Sequence, residues 1–473
     1  MSNATTQLAV IGAGPGGYAA AFMAADLGLK VALIDPAENP GGVCLYRGCI
    51  PSKALLHVAR LIQEVKAAEA MGLQISGLKV DTDRLRDWKA DVVNRLTGGL
   101  GQLAKRKNVT HIRGKARFAD NRILEIYDNG DQTGRLTFEH AIIATGSHPI
   151  SPPGLDISSE HLWDATAALD LPAVPKKLLV IGGGYIGLEL GTVYAALGSR
   201  VQVAEMTPLL LAGADKDLVR FLRKTLDERF EGIHLETTIK SLKAQKNGIK
   251  VTFSGAEEEA AKPRLFDKVL VAVGRRPNTK ELGLEKTRIE ADERGFIPVD
   301  KQCRTAESHI LAIGDVAGEP MLAHKATHQG RLAAEVVAGR KVAFEPAAIP
   351  AVVFTDPEVA WAGLTETEAK EKSISHQVAR FPWAASGRAG TLGRNDGLTK
   401  LLVDPESERI LGVGIVGPGA GELIAEGVLA IEMGAVAGDL GLTIHPHPTL
   451  SETLMEAADV FYGVSTHYHA KKR

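Results

Sequence analysis

LAVIGAGPGGYAAAFMAADLGLKVALID, residues Leu8–Asp35, lines up without a gap on LLVIGGGYIGLELGTVYAALGSRVQVAE, residues Leu178–Glu205. The offset is 170 throughout: Gly12 falls on Gly182, Gly14 on Gly184, Gly17 on Gly187, Gly28 on Gly198 and Asp35 on Glu205. Each copy reads as an apolar strand, a glycine turn, a helix, a Leu-Gly turn, a second strand and an acidic end. That is the first βαβ unit of a dinucleotide-binding fold, present twice. A lone glycine pattern is weak support, because glycine turns are common. Here each copy follows a strand, opens a helix and ends on a carboxylate. The first glycine makes the tight turn, the second lets backbone approach a pyrophosphate, and the third lets helix and strand pack closely. The helix N-terminus then stabilises the phosphate charge.

Two shorter echoes extend the repeat. HAIIATGS (His140–Ser147) and DKVLVAVGRRPN (Asp267–Asn278) each put an apolar strand before a small-residue turn, and HILAIGDVAG (His309–Gly318) adds a third such run. After Ile349-Pro350 the texture changes to shorter strands (AVVFTD, LTKLLVD, ILGVGIVG) and the helix GELIAEGVLAIEMG. The expected fold is therefore α/β, with two Rossmann-like dinucleotide-binding domains and a C-terminal α+β domain. The expected divisions are 1–150, 151–278, a central 279–348 that completes the first nucleotide site, and a C-terminal 349–473.

Composition narrows the function. The 473 residues carry 55 Lys+Arg against 57 Asp+Glu, a net charge of −2, which argues against a polyanion-binding surface. No apolar run approaches the length of a bilayer span. The opening MSNATTQLAVIG has neither a basic n-region nor an Arg/Ser-rich presequence, and three cysteines cannot form a secreted disulfide framework. A cytoplasmic enzyme is expected, with the closing HAKKR as a solvated basic end.

Two of the three cysteines carry the chemistry. In GGVCLYRGCIPSKALLHVARLI (Gly41–Ile62), Cys44 and Cys49 are separated by four residues in a glycine-rich turn. Pro51 marks a helix start, so Cys49 sits near a helix N-terminus whose dipole favours thiolate, with Lys53 adding positive charge. Two other readings remain, a pair of buried structural thiols or half of a metal site. Zinc would call for a His-x₃₋₅-His pair, which His445-Pro-His447 does not supply, and no metal is expected. Cys303 has no partner in sequence. In HPHPTLSE (His445–Glu452), His447 precedes a proline and a helix, with Glu452 about one turn into it. An imidazole held by a carboxylate is the base that thiol exchange near pH 7 requires. His445 reads as its support.

CLYRGCIPSKALL and HPHPTLSE resemble the redox-disulfide and acid–base signatures of the pyridine nucleotide–disulfide oxidoreductases. The resemblance covers essentially the whole chain, MLAHKA (Met321–Ala326) and FPWAASGRA (Phe381–Ala389) included. It is strongest toward the branch that oxidises protein-bound dihydrolipoyl groups for 2-oxoacid dehydrogenase complexes. The resemblance implies tight, non-covalent FAD on the first copy, with Gly12, Gly14, Gly17 and the ribose-binding Asp35. Gly42, Val43, Ala116, Thr145, Gly146 and Ala323 would line the flavin, Lys53 would lie near its N5 and Asp315 on its ribityl chain. NAD would take the second copy, through Gly182, Gly184, Gly187, Glu189, Glu205, Ile239 and Gly274. In that branch the substrate thiol attacks Cys44, Cys49 faces the flavin, and electrons pass through FAD to NAD⁺. The same likeness implies a homodimer with His447 and Glu452 facing the other subunit's disulfide. Its implied partners are the lipoyl domain and the subunit-binding domain of a 2-oxoacid dehydrogenase acyltransferase.

Glu205 selects the nucleotide. A 2′-phosphate beside it would meet a like charge, costing about 4 kcal/mol at 4 Å and an effective dielectric of 20. Met206-Thr207-Pro208 follows without an arginine. Two features depart from the branch: Tyr46-Arg47 stands where Asn-Val is usual, and Tyr185 where the second glycine loop usually has an aliphatic residue. An NADH-dependent reductase of another disulfide or of a metal ion is the alternative, although no thiol pair follows Cys303. A flavin- or metal-binding scaffold without turnover is disfavoured by Cys44, Cys49, His447 and Glu452 occurring together.

Overall fold

A computed structural model describes residues 2–255 and 262–469. Of the basic end HAKKR, 470–473 lie outside the described residues.

The first repeat copy folds as β1 (Ser2–Ile11), α1 (Pro15–Asp26) and β2 (Val31–Asp35). Then come α2 (Gly42–Arg47), α3 (Cys49–Ala67), α4 (Thr82–Arg106), β3 (Thr110–Arg113), β4 (Lys115–Phe118), β5 (Ile123–Asp128) and β6 (Asp131–Ile143). The strands form one sheet in the order β3-β2-β1-β6-β5-β4. β1 runs parallel to β2, Leu8 opposite Val31, and parallel to β6, Ile11 opposite Ile143. Leu8, Ala9, Val10 and Ile11 are all buried. That explains why β1 reads as a continuous apolar run: both faces of a parallel sheet are covered.

Across β7 (Ser147–Pro149) the chain enters the second copy. Its elements are β8 (Leu162–Trp163), α5 (Ala165–Asp170), β9 (Lys177–Ile181), α6 (Tyr185–Ala196), β10 (Arg200–Ala204), α7 (Lys216–Arg229) and β11 (Gly232–His234). An antiparallel insert, β12 (Thr238–Gln245), β13 (Gly248–Ser254) and β14 (Arg264–Phe266), precedes β15 (Lys268–Val271) and β16 (Arg275–Pro277). The parallel run β11-β10-β9-β15 repeats β3-β2-β1-β6 of the first sheet, and β8 adds to β15. β16 pairs with β7 and returns the chain to the first unit. There β17 (Ile310–Ala312) adds to β6 at Ala141–Ile143, and α8 (Ala323–Val337) packs on α1. A Cβ on Gly330 of α8 would lie 2.2 Å from Gly16 O, so those two helices meet at backbone distance.

The last unit comprises β18 (Ala351–Val353), β19 (Glu358–Gly363), α9 (Glu366–Glu371), β20 (Gln377–Pro382), α10 (Gly387–Thr391), β21 (Leu398–Val403) and β22 (Ile410–Gly417). It ends with α11 (Ala420–Glu432), α12 (Ala437–Leu442) and α13 (Glu452–Tyr462). The sheet is antiparallel, in the order β18-β19-β22-β21-β20. Its core centres on Trp383, whose indole N–H donates to Thr399 Oγ1 at 2.9 Å. Two ionic clusters tie this unit to the second. Buried Lys400 meets Asp215 at 2.6 Å and Asp217 and Glu366 at 2.8 Å. Asp356 lies between Arg229 (2.9 Å) and Arg394 (2.6 Å). Among the described residues no helix is long and apolar enough to cross a membrane.

Candidate active site

Both glycine loops sit at the carboxyl ends of β1 and β9, where the strand order reverses and open α/β sheets bind ligands. A Cβ on Gly12 would lie 2.4 Å from Ala144 O, and one on Gly182 2.4 Å from Ala272 O. One on Gly17 would lie 1.8 Å from Gly12 O, and one on Gly187 2.3 Å from Gly182 O. The first and third glycines are thus required by the chain's own backbone. The second is not: nothing lies nearer than 4.0 Å to such an atom on Gly14, and nothing within 4 Å on Gly184. That space opens onto helix N-termini with no side-chain cap and no acidic residue in the first turn. Their amides remain available to a phosphate, as a dinucleotide requires.

The two acidic ends match atom for atom. Asp35 accepts the N–H of Ala13 at 2.8 Å and of Ala37 at 2.9 Å. Glu205 accepts the N–H of Gly183 at 2.6 Å and of Thr207 at 2.8 Å. These donors are again 170 positions apart, so each carboxylate is aimed by the loop it serves.

A cavity of about 1450 Å³ runs from Asp35 along the first loop to the cysteines. Pockets for drug-sized ligands span roughly 300–1,000 Å³, so this space suits something as large as FAD. Its lining includes every residue expected on the flavin side except Gly17, which is buried beneath the loop. Glu189, Tyr185 and Ile186 of α6 close it from the second unit. Gly182, Gly184, Gly187, Glu205, Ile239 and Gly274 lie outside it; Ile239 packs into the core between β9 and the antiparallel insert. Ser147 and Arg275 join the lining without having been expected. Arg275 Nε donates to Ser147 Oγ at 2.8 Å, and that hydroxyl donates to Asp315 at 2.5 Å. Both follow directly on the small-residue turns ATG and AVG, which was the available signal.

The cysteine segment differs from the turn the glycines predict. Cys44 stands in the short helix α2, and Cys49 is the first residue of α3, with Gly48 between them. Gly48 adopts φ −148°, ψ −113°, and a Cβ there would lie 2.9 Å from Val43 O, so the break between the helices depends on glycine. The N-terminus of α3 carries neither a side-chain cap nor an acid. Cys44 donates a hydrogen bond to Cys49, which with burial pushes its own thiol far up. That same bond brings Cys49 down to about 7 against the cost of burial, with help from Lys53 and opposition from Glu189. The pair is polarised, with Cys49 as the thiolate. Tyr46 braces the preceding loop through a 3.0 Å bond to Asn39 O, and Arg47 lines the cavity. Cys303 is buried in the core between α1 and α8, and burial pushes its thiol up to about 12.

His447 and Glu452 form a pair at 2.8 Å through Nδ1, while the other carboxylate oxygen accepts Thr449 N–H at 2.7 Å. Glu452 is the first residue of α13, not one turn in, because it caps the Thr449 turn that precedes the helix. Burial raises its carboxyl, but the Thr449 N–H and the His447 ring outweigh this and hold it below the usual range. His445 is held by Glu426 at 2.7 Å and by Thr443 O at 2.9 Å. His447 and Glu452 do not line the cavity that holds the cysteines. Ile444, three residues before His447, is 95% exposed, and Leu442 and Met433 are exposed as well. Among the described residues, the acidic trio Asp215, Asp217 and Glu366 is spaced for a metal, but the Lys400 ammonium pairs with all three, and Arg380 with Asp217 and Glu366.

Residues 6–330 match the profile of the pyridine nucleotide-disulphide oxidoreductases, and residues 349–458 that family's dimerisation domain. A dihydrolipoyl dehydrogenase of Vibrio cholerae is 50% identical over 97% of this chain and 96% of its own. One from Geobacillus stearothermophilus is 46% identical over 98% of each. Among solved structures, LpdA from Mycobacterium tuberculosis superposes with a TM-score of 0.89 at 25% identity, over 96% of this chain and 99% of its own. The Cu(II) complex of the HOCl-induced flavoprotein disulfide reductase RclA from Escherichia coli reaches 0.86 at 28%, over 97% and 100%.

Proposed function

The chain belongs to the pyridine nucleotide-disulphide oxidoreductase family, and from that premise we infer that it oxidises dihydrolipoyl groups to the lipoyl disulfide. It is an FAD- and NAD-dependent enzyme and, carrying the dimerisation domain, a homodimer. The observation that carries the reading is the polarised Cys44–Cys49 pair at an uncapped helix end, inside a cavity sized for a dinucleotide.

The chain's residues divide the work as follows. In the oxidised enzyme Cys44 and Cys49 form a disulfide. His447, held by Glu452, takes the proton of one substrate thiol, and the resulting thiolate attacks Cys44 Sγ. The Cys44–Cys49 bond breaks and Cys49 leaves as thiolate, the better leaving group because its pKa is the lower. The second substrate thiol then attacks its neighbour in the mixed disulfide, closing the lipoyl disulfide, and its proton passes to the departing Cys44 sulfur. Cys44 is left as a thiol, Cys49 as a thiolate, and the first proton stays on His447. Bound FAD supplies the acceptor for the pair's two electrons, and bound NAD⁺ the final hydride acceptor. Gly14, Asp35 and Asp315 would hold FAD, and Gly184 and Glu205 would hold NAD.

Because the His447–Glu452 pair stands outside the cavity, it is read as serving the cysteines of the second subunit. On this reading the chain forms four domains, with boundaries at 150, 278 and 348. The protein partners on this reading are the lipoyl and subunit-binding domains of a 2-oxoacid dehydrogenase acyltransferase, met in the cytoplasm. A second reading, reduction of another disulfide or of a metal ion with NADH, draws on the likeness to the Escherichia coli reductase and its Cu(II) complex. Parallel assays of the purified holoenzyme decide between them. NADH formation from dihydrolipoamide is expected to exceed NADH oxidation by glutathione disulfide, Hg²⁺ or Cu²⁺ by at least tenfold, a difference of about 1.4 kcal/mol in transition-state binding. The reverse order would overturn the assignment.

A further inference from the structure

Three elements distant in sequence meet beside Cys49. Lys53 stands one helical turn after it in α3, and its Nζ pairs with Glu189 Oε2 of α6 at 2.9 Å. The other Glu189 oxygen accepts the backbone N–H of Phe354 at 2.9 Å. Phe354 follows β18 in the C-terminal unit, and its ring centroid lies 4.5 Å from the same Lys53 ammonium. One residue thus grips both members of the ion pair, the acid by its N–H and the base by its ring face.

We propose that Phe354 is a positioning residue for the Cys49 thiolate, fixing Lys53 and Glu189 so that the cation dominates at the sulfur. The inference rests on the redox role of the cysteines proposed above. The groups facing Cys49 are Cys44 from α2, Lys53 from α3, Glu189 and Tyr185 from α6, and Tyr18 from α1. Only Lys53 among them is cationic, and Glu189 opposes it. A Glu189 carboxylate free to rotate toward the sulfur would cancel much of the Lys53 field; the Phe354 N–H holds its second oxygen away. The Lys53 side chain is about one-third exposed, and the ring covers one side of its ammonium. Without that cover, water screens the charge and its hold on the thiolate weakens. The contact also makes the redox pair depend on the unit that carries the dimer face, although Phe354 touches no reacting atom.

The test is a pH titration of the long-wavelength absorbance that a thiolate gives against oxidised flavin, in the two-electron-reduced holoenzyme. Phe354→Leu should raise the midpoint by about half a unit, a roughly threefold loss of thiolate at fixed pH, while Phe354→Tyr should restore it. Fluorinated phenylalanines at 354 keep the shape and weaken the ring face. They should raise the midpoint stepwise even if the leucine variant folds poorly. An unmoved midpoint in the pentafluoro variant would overturn the proposal, as would a lowered melting temperature with no change in midpoint. Absence of the band in the unsubstituted protein would instead contradict the redox role of the pair, and the positioning role with it.

Discussion

Cys44 and Cys49 are the same residue type five positions apart, yet their sulfurs are held in opposite states. Cys49 gains the uncapped end of α3, the Cys44 hydrogen bond and Lys53; Cys44 gains burial and the burden of donating. The sign for a thiol is fixed: it is neutral below its pKa and charged above. In the reduced enzyme the thiolate absorbance should therefore grow as pH rises through about 7 and fade in acid. Cys44→Ser should keep the band and Cys49→Ser should lose it, read in the same spectrophotometric titration. At the second centre, Glu452→Gln retains a hydrogen-bond partner for His447 but removes the charge that stabilises the protonated ring. Steady-state turnover should fall by about 10²-fold with FAD content unchanged. The cysteine spacing and HPHPTLSE were legible because their chemistry is local in sequence. The grip of Phe354 on Lys53 and Glu189 was not, since the three positions lie more than a hundred residues apart and no periodicity links them.

At the scale of elements, the offset of 170 proved to hold over the whole first βαβ unit of each copy, down to the amides that aim Asp35 and Glu205. Glycines announce such loops because each is required by a particular contact. Those contacts also separate their roles. Gly184→Val fills space that no protein atom occupies, so the fold and bound FAD should survive. The KM for NAD⁺ should rise by at least about tenfold as the branched side chain meets the nucleotide. Gly187→Val drives a side chain into Gly182 O and should lower stability by about 1–3 kcal/mol in denaturant titration. The helix α2 was less legible. Its six residues lie between glycines, which read as a turn, and what keeps them helical is packing against α3 and α4. The position of Glu452 at the start of α13 was obscured in the same way, by a cap made from within the turn.

The whole molecule joins two copies of one nucleotide-binding unit to a third unit that serves both. Lys400 is 1% exposed and meets three carboxylates: Asp215 and Asp217, at the start of α7 in the second unit, and Glu366 of α9 in the third. A buried ion pair is weak support for stability in itself, but removing one partner is costly. Lys400→Met removes the buried cation that all three acids share, leaving Asp217 and Glu366 to Arg380, and should destabilise the fold by about 3–5 kcal/mol, seen as an earlier unfolding midpoint. Asp217 reports the same cluster. Burial raises its carboxyl, yet Lys400 and Arg380 bring it below the usual carboxylate range. Its contribution to stability is present above the unfolded value and is lost as pH falls through the lower, folded one. None of this could be read from sequence, because opposite charges 183 positions apart carry no mark of pairing. The central claim is that substrate oxidation passes through the Cys44–Cys49 bond. The most direct measurement is initial NADH formation from dihydrolipoamide and NAD⁺ by Cys44→Ser holoenzyme with full FAD content. A fall of at least about a thousandfold from the unsubstituted enzyme is predicted; an unchanged rate would contradict the account.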